Sequence, residues 1–172
     1  MRYLPFVLSL LLSSSTALAQ TRLTPRPLDP IAAETFARAL EGSARVRSLV
    51  ERLEASNVIV HIVTVPRLPA GIGGMTRFVT SRGGYRYLRI DLGADQAPRV
   101  RATILGHELQ HAVEVADSSA ADVDSMRELF ENEGHRLGEY FETIAAIRVE
   151  RDVRAELGAR ALQAQPVIKF HH

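Results

Sequence analysis

Two histidines four residues apart, His107 and His111, flank a glutamate in the run Gly106-His107-Glu108-Leu109-Gln110-His111. On a helix, residues four apart project about 40° from each other, so both imidazoles can grip one ion. Glu108 then points to the side, where it can reach a water on that ion. Zinc in such a site lowers the pKa of bound water, and a carboxylate takes the proton as the water attacks a carbonyl. The plain alternative is a pair of helix histidines beside a solvated glutamate. The flanks argue against it, because Ile104, Leu105, Leu109, Gln110, Ala112 and Val113 are all uncharged. Val100 and Ile104 share the histidines' stripe, so that stripe is expected to face inward. Imidazoles facing inward need partners for their nitrogens, and a metal supplies one.

A catalytic zinc takes three protein ligands and leaves a fourth position for water. No glycine-and-histidine extension of the metzincin kind follows His111, so the third ligand is expected later in the chain. Glu131, Glu133, His135, Glu139 and Glu142 are the candidates. Read as one helix, Leu137 to Leu157 places Gly138, Ala145, Ala146, Val149 and Val153 within about 60° of Glu142 on a helical wheel. A carboxylate in a stripe of small and apolar residues faces another helix, where it is costly unless paired or metal-bound. Glu142 is therefore expected to be the ligand, with His135 next. Glu139 and Glu150 fall at the stripe's edge as ordinary surface charges, and Glu131 and Glu133 sit near a helix end. Glu114 lies roughly 10 Å along the axis from His107, too far to share its ion easily. It is read as an acid behind the histidines or in a salt bridge. His135 and Tyr140 are also candidate donors to a developing oxyanion, although His135 after Gly134 equally suits a capping role. His61 reads as a structural histidine, and His171 and His172 end a loose tail.

These side chains must be held by the elements the pattern predicts. Apolar spacing gives a helix over Ile31 to Leu40, a break at Gly42-Ser43, and a second helix capped by Ser43 with Val46, Leu49, Val50 and Leu53 on one face. Val58 to Val65 is a β-branched run and reads as a buried strand. Pro66 to Gly74 is a loop, and Met75 to Thr80 and Tyr85 to Leu92 read as strands joined across Ser81 to Gly84. A helix is expected from Pro98 to about Ala116, capped by Asp95 or Ala97. Another runs from Ala120 to Glu133, closed by Gly134, before the final helix. The class is α+β: two helices, about three strands, three helices.

Composition bounds the rest. A chain of 172 residues with 46% hydrophobic and 24% charged residues is globular and sized for one domain. Met1 to Gln20 reads as an export signal with a basic Arg2, an apolar Leu4 to Leu12 and Ala17-Leu18-Ala19 before the cut. That run is shorter than the roughly 20 residues needed to span a bilayer, and no further apolar stretch of that length follows. The expected organisation is a signal over residues 1–19, an extended leader over 20–30, a domain over 31–162 and a tail over 163–172. Losing Arg2 takes the formal net charge of +1 to zero, which argues for neither nucleic acid nor an anionic membrane as partner. With no cysteine, there are neither disulfides nor thiolate ligands, so any metal must be held by His and carboxylate.

The motif through Ala112-Val113-Glu114, with Phe141-Glu142-Thr143 and Ala146 after it, resembles the gluzincin-type zinc peptidases, and in particular small secreted bacterial proteins of that kind. The resemblance covers Val58 to Leu157 and says little about Gln20 to Asn57. It implies zinc on His107, His111 and Glu142, with Glu108 as general base. It also implies a zincin-like fold: a small antiparallel or mixed sheet beside the active-site helix, then C-terminal helices. In that fold an edge strand pairs with extended peptide, which would be Met75 to Thr80 or Tyr85 to Leu92. The Asp that some gluzincin subfamilies place near the ligand Glu is missing, and no catalytic Tyr or His transfers. The expected activity is hydrolysis of exported peptide or protein in a secreted or periplasmic location. A non-catalytic zinc-stabilised binding protein and an amidase of cell-wall material are the alternatives.

Overall fold

The computed structural model describes residues 25–137 and 140–163. The signal expected over residues 1–19 and the tail from residue 164 lie outside them. Asp29 caps the first helix, α1 (Pro30–Gly42), by accepting from the Ala32 amide. Its other oxygen accepts from Thr64 N–H at 2.7 Å, tying the helix start to a strand. Ser43 caps α2 (Ala44–Glu54) through the Val46 amide, as expected, and buries Val46, Leu49, Val50 and Leu53.

The mixed sheet has four strands rather than about three. Part of the expected leader supplies the extra one: β1 (Arg26–Pro27) pairs in parallel with β2 (Val58–Val65). Proline lacks a ladder donor, and an edge is where a sheet accepts it. β3 (Gly74–Arg82) and β4 (Tyr85–Gly93) form a hairpin turned by Gly83 and Gly84. Both glycines have positive φ, 61° and 80°, as a tight primed turn demands. β4 then inserts beside β2, giving the order β1-β2-β4-β3. Of the two strands expected to face substrate, only β3 is at the edge.

The face of the sheet carrying Val58, Val60, Ile62, Leu88, Ile90 and Leu92 is buried and forms one core with the helices. At the centre of that core lies α3 (Pro98–Asp117), which carries the motif; Ala97 precedes it without a side-chain cap, and Asp95 does not cap it. Arg86, on β4, donates to the carbonyls of Val115, Ala116, Ser118 and Ala120 and so closes the helix C-terminus. α4 (Val123–Glu133) starts three residues later than expected, because Asp122 and Ser125 form a capping box.

The largest departure comes after Gly134. The expected helix from Leu137 does not form there; instead β5 (His135–Leu137) and β6 (Tyr140–Glu142) make a two-stranded hairpin. Thr143 accepts from the Ala146 amide at 3.0 Å, and α5 (Ile144–Gln163) begins immediately after it. α5 buries Ala146, Val149, Val153 and Leu157. Where it crosses α3, a Cβ on Gly106 would meet Val153 at 2.8 Å, so glycine there permits the close approach. No helix of the described residues is long and apolar enough to cross a membrane.

Candidate metal centre

The helical spacing of His107 and His111 brings their Nε2 atoms to 3.1 Å from each other. Both residues are buried, as the uncharged flanks imply. The inward stripe is shorter than expected: Ile104 is half-buried, but Val100, in the first turn, is exposed. Packing against α5 and the sheet begins only a turn further on.

Glu142 joins the histidines, with its Oε2 2.9 Å from His107 Nε2. One ligand atom from each of His107, His111 and Glu142 lies within 4.8 Å of the others. The residue matches the expectation and the element does not. Glu142 is the last residue of β6, and the wheel that singled it out describes α5, which starts two residues later. Nitrogens that face each other while a carboxylate closes on one of them suit a cation that prefers N and O donors.

The two imidazoles are held differently. His111 Nδ1 lies 2.9 Å from Glu114 Oε2, and its ring meets Phe130 edge-on with centroids 5.0 Å apart. Glu114 thus stands behind His111 rather than in an ordinary surface pair. Glu114 Oε1 accepts from Thr143 Oγ1 at 2.7 Å and from Gln110 at 3.3 Å. Burial works against the Glu114 charge, but the His111, Thr143 and Gln110 contacts outweigh it and hold the carboxyl below its usual range. His107 Nδ1, by contrast, is buried without a hydrogen-bond partner. The Glu150 carboxylate is 3.3 Å away, but not aligned to accept. Burial also opposes a charge on His107. The Glu142 hydrogen bond, with the carboxylates of Glu108, Glu142 and Glu150, overcomes this and pushes its pKa up to about 9. Glu142 is held low, its own partial burial offset by His107 and His111.

Glu108 is buried beside this cluster, and burial pushes its carboxyl up against the pull of His111, His107 and Thr76. Thr76, on β3, donates to Glu108 Oε2 at 2.8 Å and to the Glu108 carbonyl at 3.1 Å. A Cβ on Gly74 would stand 2.8 Å from Glu108 Cγ and Oε1 and 2.6 Å from Ile104. The glycine lets the edge strand press against the motif helix.

Among the other candidates, His135 is exposed and lies opposite Glu142 in the β5–β6 register. Glu131 and Glu133 are exposed on α4. Tyr140 opens β6, but its side chain lies outside the described residues, as does Glu139. His61 is half-buried on β2, where burial and then neighbouring Arg26 hold its pKa below the usual value. His171 and His172 lie outside the described residues.

Sequence reasoning missed four participants. Glu150 reads from the sequence as a surface charge, yet its carboxylate lies 3.3 Å from His107 Nδ1. Thr76 and Gly74 follow a glycine-rich loop and carry no local signal of contact with a helix thirty residues on. Thr143 stands directly after the ligand, where a threonine before an apolar run is a helix-start signal.

No protein-family profile matches the chain, and no curated protein or solved structure is found to match it.

Proposed function

We propose that this chain is a zinc-dependent hydrolase of peptide bonds, acting on exported peptide or protein, with a zincin-like arrangement of edge strand, motif helix and distant carboxylate. One observation carries the reading. His107, His111 and Glu142 converge from two separate elements, while a fourth side chain, Glu108, is buried next to them and bonded to an edge strand. A structural cation would need the first three and gives no reason for the fourth.

His107 and His111 would hold the ion through Nε2, and Glu142 through its carboxylate. When bound, zinc supplies Lewis acidity to water and to a substrate carbonyl. Glu108 takes a proton from the attacking water and returns it to the departing amine. Thr76 occupies Oε2, leaving Oε1 for that proton. Burial raises the Glu108 carboxyl above its ordinary value, which favours its holding the proton between the two transfers. Glu114 fixes the orientation of His111, as a carboxylate behind a metal-binding histidine does. β3 has no strand on its outer side among the described residues, and an extended peptide can add there.

Glu108→Gln tests this. The variant should keep its metal, measured by elemental analysis, and lose peptide hydrolysis by about 10²–10⁴-fold, the usual worth of a general base. A wild-type protein that holds zinc yet cleaves no peptide in a diverse library would overturn the reading in favour of a zinc-stabilised binding protein.

A further inference from the structure

Two cavities meet at the catalytic carboxylate, and they differ in chemistry. Gly74, Glu108 and Glu142 line both. The first, of about 390 Å³, opens between α4 and β3 and is mostly apolar, walled by Met75, Phe78, Val123, Met126, Phe130 and Phe141 with Arg77 and Arg127 beside them. The second, of about 680 Å³, lies on the other side under the 67–74 loop and is mostly polar, presenting Arg67, Asp95, Gln96 and Glu150 with Ile72 and Ile104 among them.

We propose that the enzyme selects peptides asymmetrically, with a bulky apolar side chain on one flank of the cleaved bond and a polar residue on the other. The proposal rests on the hydrolase reading and adds the substrate class to it. β3 lines the first cavity from Gly74 to Phe78, and the 67–74 segment leading into it lines the second, so a chain laid along β3 passes from one to the other beside Glu108, which Thr76 bonds to that strand. One flank of the chain then enters each cavity. Phe130 and Met126 are already nearly buried in the apolar wall, so a side chain entering there completes a surface that is largely dehydrated. Aromatic rings and thioethers adapt to more than one apolar shape, so Phe, Leu and Met should all be accepted. In the other cavity, Asp95, Gln96 and Glu150 would lose water without gaining a partner if an apolar side chain entered, and such desolvation is unfavourable.

The test is a digest of a diverse peptide library by the zinc-loaded protein, with cut sites read by mass spectrometry, followed by kinetics on matched peptides bearing Phe or Ala on the apolar flank. Phe should be favoured over Ala by at least about tenfold in kcat/KM, the scale of discrimination by an apolar pocket. Val123→Arg places a charge at the mouth of the apolar cavity; Val123 is 54% exposed and outside the buried core, so the fold tolerates the change. The variant should lose most of that preference, cutting the Phe peptide little faster than the Ala peptide. If the library is cut with no flank preference, with apolar residues on both flanks, or with a preference that Val123→Arg leaves intact, the proposal falls and the hydrolase reading stands. If nothing is cut, both fall together.

Discussion

The candidate metal centre is assembled from two unlike halves. His107, Glu108 and His111 sit on a twenty-residue helix at the centre of the core, where every neighbouring turn buries apolar surface. Glu142 sits on a hairpin of two three-residue strands. A hairpin of that size has little stability of its own, so its position depends on what it is joined to. Two joints are visible: Thr143 bonds to Glu114 of α3, and α5 packs through Val153 against Gly106. The difference teaches that the helix half is preorganised by folding, whereas the hairpin half is placed by its attachments and, on the proposed reading, by an ion.

The largest effect should come from removing the hairpin's ligand. A cation present at a hundred times its dissociation constant stabilises the folded state by roughly 2.7 kcal/mol. Wild-type protein should show that gain in urea unfolding when zinc replaces a chelator. Glu142→Ala should lose most of that zinc-dependent gain, and in chelator should lose only what the His107–Glu142 pair contributes, because the helix half does not need the ion to form. Equal zinc content in the variant and wild type would show that the hairpin is no part of the site.

Gly106→Ala attacks the joint from the helix side. Its Cβ would come 2.8 Å from a short, branched valine side chain, which cannot swing aside as a long flexible one would. Overpacking of this kind costs about 1–3 kcal/mol. Chemical unfolding should register that loss, and Val153→Ala in the same chain should recover part of it, since contacting residues couple. Full additivity of the two substitutions would mean that the helices do not rely on this contact.

The same division explains what the amino-acid sequence disclosed. The motif helix was legible because its period, its uncharged flanks and its residue types all point one way, and local propensity agrees with the tertiary role. β2, β4 and the capped start of α2 were legible for the same reason. The 134–143 segment was not. It is short, broken by Gly134 and Gly138, and its apolar residues fit a helical wheel as readily as a strand. Glu142 stands beside the histidines all the same, because a half-buried carboxylate seeks a partner whichever element carries it. Glu150 and Thr76 act across long sequence separations, and a one-dimensional pattern holds no trace of such contacts. β1 was hidden among prolines that read as leader, since a two-residue strand has no period to detect.

The smallest effect sharpens the comparison most. Thr143 gives one hydrogen bond to each half: its hydroxyl donates to Glu114 of α3 and accepts from the Ala146 amide that opens α5. Thr143→Val keeps the shape and deletes both, and loss of a helix cap together with a part-buried hydrogen bond costs about 1–2 kcal/mol. Part of that cost should depend on pH. Glu114 is held below the usual carboxylate range by His111, Thr143 and Gln110 against its burial, so its stabilising contribution is complete above the unfolded value of about 4.3. As the pH falls through the lower folded value that contribution is lost, because protonation discharges the carboxylate that the hydroxyl serves. The stability gap between wild type and Thr143→Val, followed by urea unfolding in chelator, should therefore be constant from neutral pH to about pH 5 and narrow below it. Thr143→Ser restores the hydroxyl and should close the gap at every pH. Wild-type stability in Thr143→Val would mean instead that the hairpin is attached to the helix by shape rather than by this hydrogen bond.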